Sequence, residues 1–105
     1  MQPTNTGRSP AYDDASYAAD AAVAASDREE WRRVATLVRT VLDAIKQAPY
    51  GTLVERARAL GTDVLAVLGR ERPDYRRVRR RLYELRGAIE ALQRRALTDE
   101  LRGSA

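Results

Sequence analysis

Five arginines stand close together, Arg76, Arg77, Arg79, Arg80 and Arg81, with Arg70, Arg72, Arg86, Arg94 and Arg95 around them. Guanidinium groups set along one helix grip phosphates or carboxylates, often two oxygens at a time. At 100° per residue Arg76, Arg80 and Arg94 fall opposite the apolar stripe of their helix, Arg79 and Arg86 on one flank, and Arg77, Arg81 and Arg95 on the other. Tyr83 shares the exposed side, with Arg79 and Arg80 one turn before it and Gly87 one turn after. Tyr and Arg are enriched at the energetic centres of protein interfaces, and a glycine lets another backbone approach. Arg76, Arg79, Arg80, Tyr83 and Gly87 are therefore the candidate partner-binding residues. The plainer alternative is a solvated face, partly neutralised by pairs such as Arg80 with Glu84 and Glu90 with Arg94.

Other chemistry has little to work with. The chain has no histidine and no cysteine, so the commonest general base, the commonest transition-metal ligand and the thiolate nucleophile are all missing. Acids stand side by side at Asp13–Asp14, Glu29–Glu30 and Asp99–Glu100, but adjacent helical residues point apart and do not share a site. No glycine-rich phosphate loop occurs. An enzyme is not expected, nor is a cofactor, a metal or a small-molecule substrate.

The elements that position these residues are all helical. Trp31, Val34, Val38, Val41 and Ile45 recur at spacings of three and four, with Leu37 and Leu42 widening that face. Ser26 and Glu29 fit a capping box at its start, and Pro49 and Gly51 end it, which predicts a helix over about 27–48. Thr52 and Glu55 fit a second capping box, and Leu53, Ala57, Leu60, Val64 and Leu68 keep phase across Gly61 to Gly69, a helix over about 53–68. Pro73 suits a first turn. After it Tyr75, Val78, Leu82, Leu85, Ile89, Leu92 and Ala96 alternate spacings of three and four, a helix over about 73–96. The expected fold is all-α: an antiparallel three-helix bundle over 26–97, with a flexible, acidic, Ala-rich N-terminal arm at 1–25, disordered or weakly helical, and a frayed tail at 98–105. Because the middle helix is shorter than its neighbours, part of their apolar surface is left for a second copy to cover.

Charge is unevenly placed. Residues 1–30 carry two arginines against six acids, and the remainder seventeen bases against nine acids. A basic bundle of this kind suits an acidic protein partner or nucleic acid. Ala57, Leu60, Gly61 and Val67 have helix-turn-helix spacing if the chain breaks at Gly61. Against that, Arg56 stands where an apolar residue is wanted, and Thr62–Leu68 offers few side chains able to read bases. No apolar run approaches the roughly 20 residues that span a bilayer, and the N-terminus lacks a basic start followed by an apolar stretch. The cytoplasm is the expected location, with no membrane contact. The leading functional expectation is a protein-interaction module, self-associating or an adaptor subunit, that contacts its partner through the Arg-rich last helix. The alternative is a small basic nucleic-acid-binding protein.

Overall fold

The computed structural model describes residues 10–49 and 51–103. The expected tail at 1–9, Tyr50 in the predicted helix stop and the last two residues lie outside the described residues. Four helices follow one another: α1 Pro10–Asp27, α2 Trp31–Ala44, α3 Thr52–Leu68 and α4 Tyr75–Gly103. Among the described residues there is no strand. The class is all-α, and the described residues form four helices where periodicity alone predicts three.

The additional helix is α1, drawn from the segment expected to be a flexible arm. Pro10 opens it, its fixed φ suited to a first turn and its missing N–H not needed there. Alanine, the best helix former, supplies much of the rest. Tyr12, Ala15, Ala18, Ala19, Ala22, Val23 and Ala25 are buried, so the helix docks by a stripe of small side chains that lets its backbone lie close to its neighbours.

The α1–α2 junction explains why the first predicted capping box fails. The Ser26 hydroxyl donates back to the Val23 carbonyl at 2.7 Å, inside α1. The Glu30 N–H reaches the Ala25 carbonyl and the Glu29 N–H the Ser26 carbonyl, at 3.0 Å each, while Glu29 takes a left-handed φ of 59°. These bonds form the Schellman turn that closes a helix. Ser26 and Glu29 thus end α1 rather than begin α2, which opens at Trp31. The second box also fails: Thr52 is already helical, and Gly51 caps α3 with no side-chain bond. At α4 the helix begins at Tyr75, two residues after Pro73, and Asp74 is its cap, accepting the Arg77 N–H at 3.2 Å. The far end of α4 continues to Gly103, so the fray expected from Thr98 is not seen through that residue.

The helices form a closed ring, α1 packing on α2 and α4, and α3 on α2 and α4. Directions follow from cross-contacts. Asp13 meets Gln93 while Ser26 meets Arg79, so α1 and α4 are antiparallel. Asp63 meets Arg77 and Arg81 while Arg56 meets Glu84, so α3 and α4 are too. Arg58 reaches the Lys46 carbonyl while Gly61 lies against Leu42, and the same holds for α2 and α3. Short connections permit this up-down-up-down arrangement. The core is aliphatic, with Val34, Val38, Val41, Ile45, Val64, Val78, Leu82, Leu85 and Ile89 fully buried. Helix α1 covers the flank that a three-helix count leaves open, which removes the ground on which a second copy was expected there.

Gly61 does not break α3, which runs unbroken through it, so the helix-turn-helix geometry is absent. Its role is close approach: a Cβ there would meet Leu42 Cδ2 at 2.8 Å. Among the described residues, no helix is long and apolar enough to cross a membrane.

Candidate interaction surface

Helix α4 carries its arginines on three arcs, and the bundle uses each differently. On the arc facing α3, the Arg77 guanidinium donates to both Asp63 oxygens, Nε to Oδ2 at 3.0 Å and Nη2 to Oδ1 at 2.9 Å. Arg81 Nε donates to the same Oδ2 at 3.1 Å and its Nη1 to Glu84 Oε2 at 3.1 Å. Arg56 stands 3.9 Å from Glu84. The Arg77 bonds hold the Asp63 carboxyl below its ordinary value of 3.8, opposed by its partial burial and aided by Arg81. In return the hydrogen bonds to Asp63 raise the Arg77 guanidinium above its ordinary value. Glu84, expected to neutralise Arg80, is engaged by Arg81 and Arg56 instead.

On the arc facing α1, Arg79 is half-buried. Its Nη2 donates to the Ser26 carbonyl at 3.3 Å, and its guanidinium lies 5.6 Å from the centre of the Trp31 ring. Trp31 is in turn stacked on Tyr75, with ring centres 4.3 Å apart and planes 13° from parallel. A cation beside the last carbonyls of a helix is favoured by the helix dipole, and a cation over an indole face by its quadrupole. Arg79 Nε is buried without a partner. Of the five candidate partner-binding residues, Arg79 is therefore drawn inward, clamping α1 and α2 onto α4 instead of facing a partner.

The third arc faces solvent. Arg76, Arg80, Tyr83, Gly87, Glu90 and Arg94 follow one another at spacings of three and four and are all exposed. Tyr83 keeps 48% of its surface, and the Arg86 guanidinium sits 4.9 Å above its ring. A Cβ on Gly87 would meet nothing within 4 Å, which leaves a shallow saddle between Tyr83 and Glu90. Four of the five candidate residues are thus brought onto one open strip.

Comparisons with protein-family models, with curated proteins and with solved structures each returned no match. The strip has to be read from its own chemistry.

Residue spacing missed two participants, Asp63 and Trp31. Asp63 lies on the flank of α3, where nothing in the α3 periodicity marks its partners on another helix. Trp31 reads as the first residue of an apolar face, yet it serves as a platform for Arg79. At the opposite end of the bundle a cleft of about 690 Å³ opens between Tyr12, Leu53, Leu92 and Ala96, with Arg95 and Asp99 at its edge. Among the described residues no group of three or more acids gathers to hold a metal ion.

Proposed function

We propose that this chain is a non-catalytic interaction module, acting in the cytoplasm as an adaptor or self-associating subunit, and that its contact surface is the outward strip of α4. The observation that carries this is Tyr83, half-exposed under the Arg86 guanidinium and next to the open backbone of Gly87. An aromatic side chain with few rotatable bonds, flanked by arginines and a backbone gap, is the composition of an interface centre. The partner best suited to it is a protein segment carrying acidic side chains, steered in by Arg76, Arg80 and Arg94.

The same arginines support nucleic-acid binding less well. Arg77 and Arg81 are committed to Asp63, Arg79 to Ser26, and Glu90 stands within the exposed strip.

The reading is tested by a photo-crosslinking amino acid at position 83, compared with one at Thr36 on the exposed side of α2, in the native cell. A defined protein adduct from 83, absent from 36 and weakened by Arg76→Glu with Arg80→Glu, is the expected result. Adducts only to nucleic acid, or none that distinguishes the two positions, overturns it.

A further inference from the structure

The outward face of α1 has the opposite character to that of α4. Asp14, Tyr17, Asp20, Ala24 and Asp27 follow at helical spacing, all exposed, with Tyr17 at 79% the most exposed large hydrophobic side chain among the described residues. The two faces neighbour each other, because α1 packs on α4. Yet among the described residues every ion pair joins Arg56, Asp63, Arg77, Arg81 and Glu84 on the α3 side, and none bridges α1 to α4. One side of the bundle therefore shows an acidic helix beside a basic one, each with an exposed tyrosine and a small residue, and among the described residues no ion pair joins the two.

Resting on the interaction-module reading, we infer that this side is the docking surface for a second copy of the same chain, the acidic face of α1 seating on the basic outer face of α4 of the other copy. Symmetry limits how this happens. A two-fold axis across the helices would set α1 on α1, acid against acid. A two-fold axis along the helices sets each α1 on the other copy's α4, opposite in charge and antiparallel, and makes the contact twice. Such an axis leaves heights along the bundle unchanged, so the register is already fixed within one chain. Asp13 is level with Gln93 at 3.1 Å and Ser26 with Arg79 at 3.3 Å. By that register Asp27 falls between Arg76 and Arg80 of the other copy, and Asp20 falls beside Arg86. Tyr17 comes level with the saddle at Gly87, and Tyr83 lies against Ala24. Both tyrosines meet small residues, Asp20 and Asp27 meet arginines, and Asp14 falls between Glu90 and Arg94.

The surface is modest. Helix α1 is about 27 Å long, and two helices side by side are about 20 Å wide. That gives on the order of 500 Å² per copy, below the roughly 800 Å² of a standard interface. The association is correspondingly weak, with a dissociation constant in the micromolar range. It is also weakened by salt, since exposed charge pairs are screened.

The test uses two full-length variants in sedimentation velocity at low salt. Asp20→Lys with Asp27→Lys puts cations on the outer face of the C-terminal half of α1, and Arg76→Glu with Arg80→Glu puts anions on the outer face at the start of α4. The changes at 27 and 76 suit their helix dipoles, a cation at the C-terminus of α1 and an anion at the N-terminus of α4, and circular dichroism checks that each variant folds. Wild type should dimerise, and each variant alone should lose at least about tenfold in affinity through like-charge contact. An equimolar mixture of the two should recover most of the dimer, because position 27 of one copy then faces opposite charge at positions 76 and 80 of the other, with only position 20 still beside the unchanged Arg86. A wild type that stays monomeric at 100 µM protein or above, by the micromolar expectation, overturns the inference, as does a dimer indifferent to both variants. In either case a crosslink from position 83 to a different protein leaves the contact-surface reading standing, whereas no crosslink removes both.

Discussion

Arg79 of α4 donates to the backbone carbonyl of Ser26 at 3.3 Å, at the point where α1 ends. The bond ties the first helix to the last and separates a structural arginine from its surface neighbours. Arg79→Glu would place a carboxylate beside the negative end of α1 and remove the cation above Trp31. It should destabilise the protein by about 2 kcal/mol. Arg80→Glu, one residue away but exposed, should cost less than about 0.5 kcal/mol. Urea unfolding of the two variants distinguishes these outcomes, and equal losses would contradict the assignment.

Asp63 anchors the α3–α4 contact and gives stability a dependence on pH. Its carboxyl is lowered by Arg77 first, against the effect of its partial burial, and by Arg81. A carboxyl that holds its proton less tightly in the folded state stabilises that state above the unfolded value near 3.8. That contribution is lost as pH falls through the folded value. Asp63→Asn should therefore cost on the order of 1 kcal/mol at neutral pH, since the pair is partly solvated. The difference from wild type should persist at pH 5 and shrink in steadily more acid solution. Unfolding curves measured in parallel from pH 7 to pH 3 check both sign and window.

Gly61 allows α2 and α3 to approach until Leu42 Cδ2 lies 2.8 Å from where a Cβ would stand. Alanine gains about 1 kcal/mol of helix propensity but pushes the mobile end of Leu42 aside, so Gly61→Ala should change stability little. Gly61→Val adds further bulk and should cost about 2 kcal/mol. Leu42→Ala in the same chain should recover a good part of that loss, because it removes the obstructing group. Absence of any coupling between positions 42 and 61 in this double-mutant cycle would contradict the close packing.

The helical class and the register of α4 were legible because Val78, Leu82, Leu85, Ile89 and Leu92 are large, apolar and strictly spaced, and all are buried. Helix α1 was not, and the reason is chemical. Its buried stripe is mostly alanine, and alanines at 11, 21 and 24 stand outside it, so size and hydropathy barely separate its faces. The mark that does survive lies on the outside, where Asp14, Asp20 and Asp27 recur. The consequences run along the chain: without α1, Ser26 and Glu29 fit the start of a helix that they in fact close, and spacing alone gives Arg79 no structural partner. Tyr83 and Gly87 were legible as exposed because they lie opposite the α4 seam, a relation that needs no tertiary contact. Asp63 needed one, since its partners are fourteen and eighteen residues away on another helix.

Helix α1 is the fourth wall of the bundle, and it sorts the arginines of α4 into those that hold the fold and those that face solvent. Amide hydrogen exchange across residues 14–26 of the full chain, read by mass spectrometry at neutral pH, tests this most directly. Slowing on the order of a thousandfold is expected, comparable with α2 and α3, as for helices that open only when the domain unfolds. Exchange in this segment at the rate of an unstructured peptide would contradict it, returning Arg79 to the exposed set and dissolving the acidic face beside α4.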